Sequence, residues 1–153
     1  MNTKQHLLFW TLSLLLLLSC APSTMEYRPA SNTNLSPKKA KTIIREAILN
    51  QPGNYAPQSV LINDEVLEIR KITTQGRGRR RSSTTDTTTV TLSSIGNMAL
   101  TRATIYYVVT IFDKENSEVY RVYTSLESQA KDFMDALKTV MMQRPSDKQQ
   151  NGN

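Results

Sequence analysis

Cysteine and histidine are almost absent from this chain of 153 residues, which contains one of each, Cys20 and His6. A single cysteine excludes an intramolecular disulfide, so a folded domain must depend on its apolar core. Because both residues lie within the first 20 positions, the rest of the chain offers no Ser-His-Asp triad, no Cys-His pair and little zinc-binding chemistry. It also lacks a glycine-rich phosphate loop. We therefore expect no enzyme, no catalytic residue, no metal site and no cofactor.

A membrane-spanning run is also missing. The longest apolar stretch, residues 7–18, has 12 residues, whereas a helix needs about 20 to cross a bilayer. It follows Lys4 and precedes the small residues Ser19, Cys20 and Ala21, which is the order of an export signal. We therefore expect residues 1–19 to be a signal peptide that is removed.

The residues Leu17, Leu18, Ser19 and Cys20 resemble the lipobox of bacterial lipoproteins. The resemblance implies a diacylglyceryl group on the Cys20 sulfur, cleavage before Cys20, and fatty acylation of the new amine, for example with palmitate. Two or more acyl chains give stable membrane anchoring. The resemblance thus implies a domain outside the cytoplasm, and Ala21 is compatible with the outer membrane rather than the inner one. The alternatives are an ordinary secretory signal with an accidental cysteine, and a buried structural thiol.

After removal of 1–19, the chain keeps 134 residues with 18 Lys and Arg against 13 Asp and Glu, a net charge of about +5. This length suits one domain. Residues 20–35 contain two prolines and many small polar residues, which is typical of a flexible tether. We expect the single globular domain to span 36–144 and the tail 145–153 to be disordered.

Hydrophobic periodicity predicts a helix at each end of this domain. Ser36 as N-cap, Pro37 at the first helical position and an apolar stripe of Ala and Ile predict a helix over 36–50. Alternating apolar and polar residues predict antiparallel strands over about 59–124. A capping box formed by Thr124 and Glu127 opens a helix over 125–142. Its apolar stripe comprises Leu126, Ala130, Phe133, Met134, Leu137 and Met141.

The fold class that follows is α+β: an N-terminal helix, an antiparallel bent sheet or partly open barrel of about five to seven strands, and a C-terminal amphipathic helix. The residues TIYYVVTIFDKENSEVYRVYTSLESQAKDFMDALKTV, two long strands followed by a helix, resemble the pleckstrin-homology-like superfold. The resemblance covers 60–142 at the level of pattern. A plain α+β sandwich is the alternative fold.

Carboxylates are the remaining candidates for chemistry. Asp132 and Asp135 lie three apart on one helical face, where they would be able to hold a cation, but a solvated face is the simpler interpretation. Two more carboxylate pairs lie in predicted turns, Asp64 with Glu65 and Glu115 with Glu118.

Four tyrosines lie on the predicted last hairpin: Tyr106, Tyr107, Tyr120 and Tyr123. Core and edge packing is their expected role.

A basic segment lies between the early strands, with residues 75–86 interpreted as a long exposed loop. It is the best candidate for contact with a partner, and its cations are Arg70, Lys71, Arg77, Arg79, Arg80 and Arg81. Near an anionic lipid surface each cation contributes about 1 kcal/mol to the free energy of membrane binding. Three interpretations stay open: a solvated loop, binding to anionic head groups, and binding to an envelope protein. Export excludes nucleic acid as a partner.

The sequence therefore favours a lipid-anchored cell-envelope protein that acts as a non-catalytic binding or assembly module near the membrane surface. A small-ligand carrier or a carboxylate-based hydrolase in the periplasm is the alternative. An inert structural lipoprotein is a third hypothesis.

Overall fold

The computed structural model describes residues 23–30, 35–75 and 82–142. Within these ranges the chain forms two helices, one short 3-10 helix and seven strands. Several predicted features lie outside the described residues: the signal peptide 1–19, the lipidation site, the tail 145–153 and four cations of the basic segment. The individual residues concerned are Cys20, Arg77, Arg79, Arg80 and Arg81.

The element order is strand, helix, six strands and helix. Strand β1 spans Ser23–Met25, helix α1 spans Pro37–Leu49, and the 3-10 helix spans Gly53–Tyr55. The next strands are β2 (Ser59–Ile62), β3 (Val66–Gln75), β4 (Ser82–Thr91), β5 (Ile95–Arg102), β6 (Tyr107–Asp113) and β7 (Glu118–Thr124). Helix α2 spans Glu127–Met142 and closes the described part of the chain.

Helix α1 forms where the N-cap and the apolar stripe predict it. Ser36 is in an extended conformation, and its Oγ accepts a hydrogen bond from the Lys39 N–H at 3.3 Å. This bond satisfies one of the N–H groups that a helix start leaves without a partner. Ala40, Ile44 and Ile48 are fully buried along one face, so the helix is held by its apolar side.

The seven strands form two antiparallel sheets, one with the order β1-β5-β6-β7 and one with the order β2-β3-β4. The break falls between β4 and β5, where the Ser94 N–H and hydroxyl both donate to the Thr91 carbonyl and turn the chain tightly. Among the described residues neither sheet closes into a barrel. The α+β class is confirmed, but the strands do not form one continuous bent sheet.

Gly96 lies at an irregularity in the pairing of β5 with β6. A Cβ at this position would come within 2.5 Å of the Asp113 carbonyl oxygen. Only glycine therefore allows the two backbones to approach this closely.

Helix α2 packs against β6, β7 and α1. Phe133, Met134, Ala136 and Leu137 are fully buried on its inner face. The core formed by these residues also includes the buried face of α1 and side chains from both sheets, so one apolar cluster connects all the layers. This single core is consistent with the absence of a cysteine pair.

The start of α2 differs from the prediction. The helix begins at Glu127, and the Thr124 hydroxyl donates to the Leu126 carbonyl at 3.0 Å instead of opening a capping box. As a result Leu126 precedes the first turn and is 56% exposed, so its assignment to the buried stripe was wrong. The stripe itself begins four residues later, at Ala130.

The tether prediction was wrong for residues 23–30. Strand β1 pairs with the end of β5, with Thr24 opposite Thr101, and the side chains of Met25 and Tyr27 pack against the core. The strand has only three residues among prolines and small polar neighbours, so its sequence shows no clear alternation. Residues 20–22 and 31–34 lie outside the described ranges.

The exposed loop predicted at 75–86 was too long. Ser82–Thr91 is strand β4, which pairs with β3 as far as Ser82 opposite Gln75. Threonine, which is β-branched, favours a strand even where no apolar residue is present, and threonine dominates this stretch.

Replacing Phe133 by alanine tests the orientation of α2. The phenylalanine is fully buried, so its truncation should lower the free energy of unfolding by about 3–5 kcal/mol. Leu126→Ala, the matched control at a largely exposed position, should change it by less than about 0.5 kcal/mol. Urea unfolding followed by circular dichroism measures both. Equal losses in the two variants would contradict the described orientation.

Candidate functional site

A long hairpin extends from the core and carries the first part of the predicted basic segment. Strands β3 and β4 pair over ten positions, but their buried side chains, Leu67, Ile69 and Val90, all lie at the end next to the core. The outer six pairs, residues 70–75 with 82–87, extend for about 20 Å. We call these twelve residues the arm. Their described side chains are exposed or half-buried, so the arm adds little to the core.

The two described cations of the basic segment have acidic neighbours. Arg70 donates from Nε to Glu68 Oε1 at 2.6 Å, and its Nη2 lies 2.6 Å from the same oxygen. Lys71 lies directly opposite Asp86 in the ladder. Because successive residues of a strand face opposite sides, Arg70 and Lys71 do not share a face of the arm. Sequence reasoning placed both residues in one basic cluster and missed these partners.

Three tyrosines form an aromatic cluster, and only two of them were predicted to group together. The rings of Tyr55 and Tyr123 stack with centroids 3.9 Å apart, and Tyr106 meets both edge-on at 6.3 and 6.5 Å. Tyr55 comes from the 3-10 helix after α1, and sequence reasoning missed it because that turn shows no periodic signal. The other two predicted tyrosines, Tyr107 and Tyr120, are half-buried against the core.

Gln51 fastens the end of α1 to strand β7. Its buried side chain accepts from the Tyr123 N–H at 2.9 Å and donates to the Ile48 carbonyl at 3.1 Å and to the Tyr120 hydroxyl at 3.3 Å. Burial is the main reason why the pKa of Tyr120 is raised. This network holds Tyr123 in place below Tyr55, so the aromatic cluster has a rigid base.

One carboxylate of each predicted turn pair has a cationic partner. Asp64 lies 2.6 Å from Lys41 Nζ, and Glu118 pairs with Arg121. Among the residues that the structure describes, no group of three or more His, Cys, Asp or Glu side chains comes together as a metal site would require. Glu46 and Asp132 line one groove of about 220 Å³ between α1, β7 and α2.

Asp135 fastens the N-terminal segment to helix α2. Its Oδ1 accepts from the Tyr27 hydroxyl and from the Ala30 N–H, both at 2.8 Å. Lys131 Nζ lies 5.2 Å from the centre of the Tyr27 ring. We call the two hydrogen bonds from Tyr27 and Ala30 to Asp135 the latch. Burial, followed by the hydrogen bond to Asp135, raises the pKa of Tyr27 to about 12.

Comparisons of the chain with protein-family models, with curated proteins and with solved structures find no match. In the described ranges, neither helix has the length and apolar character needed to cross a membrane.

Replacing Tyr27 by phenylalanine should change how stability depends on alkaline pH. An unfolded tyrosine ionises near pH 10, while in the folded protein the pKa of Tyr27 is about 12. Between these two pH values the unfolded chain binds fewer protons than the folded protein. The stabilisation by Tyr27 is therefore complete below pH 10 and falls as the pH rises towards 12. Tyr27→Phe should cost about 1 kcal/mol near neutral pH, the usual contribution of one hydrogen bond.

Denaturant unfolding of both proteins between pH 8 and pH 11.5 measures the effect. The stability difference between wild type and Tyr27→Phe should shrink above pH 10. A difference that stays constant over this range would contradict the latch.

Proposed function

We propose that this chain is a lipid-anchored cell-envelope protein, acylated at Cys20, whose domain is a non-catalytic binding or assembly module near the membrane surface. The observation that carries the binding part of the proposal is the arm. A hairpin that extends about 20 Å beyond its buried residues contributes little to folding, so its length is better explained by contact with another molecule.

The docked N-terminal segment supports the placement near a membrane. Only Ala21 and Pro22 separate Cys20 from the start of β1 at Ser23. Since one residue spans at most about 3.6 Å, the acylated cysteine would lie within about 11 Å of Ser23. The latch and β1 would then keep the body close to the lipid surface, whereas a free tether of 15 residues has an average reach of roughly 20 Å.

The arm is proposed to present its cations to anionic head groups or to an envelope partner. Arg77, Arg79, Arg80 and Arg81 belong to the connection between its two strands. Arg70 is already paired with Glu68, so in this proposal the four later arginines provide most of the attraction. If each of the four contributes about 1 kcal/mol of binding free energy, together they strengthen membrane binding substantially.

We also propose a relationship in fold to the pleckstrin-homology-like superfold. Two features support it: the division into two antiparallel sheets, and the amphipathic helix that follows the last strand and packs against β6 and β7. Strand β1 and helix α1 are additions to that pattern.

A small-ligand carrier or a carboxylate-based hydrolase remains the second candidate function, because Glu46 and Asp132 share one groove. Both side chains are exposed in that groove. A ligand-binding or hydrolytic activity that is lost in Glu46→Gln or Asp132→Asn would favour this candidate over the binding module.

Removing the cysteine sulfur tests the anchor. Cells that express the wild-type chain should incorporate labelled palmitate into it, because the acyl chains derive from membrane lipid, and Cys20→Ser should incorporate none. Labelling of Cys20→Ser at the wild-type level, or of neither protein, would contradict acylation at this residue.

Replacing the four arginines Arg77, Arg79, Arg80 and Arg81 by glutamine tests the arm. Binding of the mature protein to vesicles rich in phosphatidylglycerol should weaken at least tenfold in low salt, and less in high salt, because salt screens exposed charges. The matched control removes the same number of cations from α1, through Lys38, Lys39, Lys41 and Arg45 replaced by glutamine, which keeps the helix propensity.

The control should weaken vesicle binding less than the arm variant does. Equal effects of the two sets would indicate general attraction by net charge, and the arm would lose its assigned role.

A further inference from the structure

Strand β2 leaves one backbone edge open. It is the outer strand of the β2-β3-β4 sheet, and among the described residues no strand pairs with its other side. The Asn63 N–H donates to the Val66 carbonyl at 3.1 Å, and Leu61 lies opposite Glu68 in the same register. Hydrogen-bonded pairs alternate along an antiparallel ladder, so the N–H and C=O groups of Val60 and Ile62 point away from β3.

A groove of about 350 Å³ runs along this open edge, between β2 and helix α1. Val60, Leu61 and Ile62 line it on one side, and Leu61 is 58% exposed. Val60 is only 6% exposed, so Leu61 and the outer side of Ile62 are the accessible part of this edge. An exposed leucine beside backbone groups that pair with no strand suits an added strand, because backbone bonds give affinity and side-chain contacts give specificity.

The helix side of the groove is basic. Lys38, Lys41 and Arg45 line it together with Thr42. Their spacing of three and four residues puts the three cations on one face of α1, over about 10 Å of helix. Strand residues two apart are separated by about 6.7 Å, so two acidic residues at alternate positions of a strand fall within the length of this basic face.

One carboxylate of the chain itself already lies at this surface. Asp64, in the turn after β2, binds Lys41 Nζ at 2.6 Å while its side chain stays 74% exposed. An exposed ion pair of this kind contributes at most about 1 kcal/mol, so a partner carboxylate would be able to displace Asp64 from Lys41. Neither Lys38 nor Arg45 has an acidic partner within salt-bridge distance among the described residues.

We infer that the groove between α1 and β2 docks an extended acidic segment of a partner protein, which adds to β2 as a fourth strand. Its backbone pairs with Val60 and Ile62, and its alternate carboxylates bind Lys38, Lys41 and Arg45. A lipid head group would satisfy the cations but leave the strand edge unpaired, so the geometry favours a peptide. The inference deepens the proposed binding function. It rests on that proposal in one respect, that the partner is a protein of the cell envelope.

A short synthetic peptide tests this site. The probe is capped at both ends, with glutamate at alternate positions and valine or threonine between them, and it is added to the mature lipidated protein in neutral detergent micelles. Hydrogen exchange at the amides of Val60 and Ile62 should slow at least tenfold at saturation. A peptide with N-methyl groups on the edge-facing amides, or with glutamine for glutamate, should bind at least fivefold more weakly.

Two matched protein variants separate the groove from net charge. The variant Lys38→Gln with Arg45→Gln should weaken peptide binding about fivefold to tenfold. The control Lys39→Gln with Lys114→Gln removes two exposed cations that do not line the groove, so peptide binding should be nearly unchanged. Both pairs replace exposed side chains, so folding should be preserved.

Several results would overturn the inference. These are unchanged exchange at Val60 and Ile62 with millimolar peptide, equal binding of the N-methylated peptide, and protection of these amides by phosphatidylglycerol micelles in place of the peptide. Each of them leaves palmitate labelling of Cys20 and vesicle binding by the arm unaffected, so failure of this inference is distinguishable from failure of the proposed function.

Discussion

The burial of the apolar faces of α1 and α2 against each other joins the two sheets of this protein. No strand pair connects the sheets within the described residues, so apart from the tight turn between β4 and β5 they are held together by the core to which both helices contribute. Helix α1 contacts β2 of one sheet and β7 of the other, and α2 contacts β6 and β7. Ile44, Ile48, Phe133 and Leu137 are fully buried in this core. Without this packing, each sheet would expose its inner face to water.

The same constraint decides which surfaces remain available for binding. Because α1 turns Ala40, Ile44 and Ile48 inward, its basic face stays in solvent beside the open edge of β2. The outer part of the β3–β4 hairpin has almost no buried side chain, so it extends as the arm. Two separate surfaces, the arm and the groove beside β2, are therefore available. In the proposed account the first meets head groups or a partner, and the second docks an acidic segment.

The α+β class and both helices could be predicted from the sequence. The features that specify the helices, such as Ser36, Pro37 and the apolar stripes, lie within the helices or next to them in the chain. The sequence did not show how the strands divide, since the turn at Thr91–Ser94 interrupts the pairing without a distinctive pattern. Strand β1 was missed because its pairing with β5 involves residues about 75 positions away. The aromatic cluster was incomplete for the same reason, since Tyr55 meets Tyr123 only in the folded protein. Long-range contacts decided the last two of these features.

In the proposed account, the lipid anchor and the docked N-terminal segment act together. Acyl chains on Cys20 would hold the chain in a membrane, and β1 with the latch would hold the body near those chains. The most direct test is mass spectrometry of the N-terminal peptide of the protein extracted from intact envelopes. The account predicts a peptide that begins at Cys20 and carries a diacylglyceryl group on its sulfur. A free thiol at Cys20, or a peptide that begins at Met1, would contradict it.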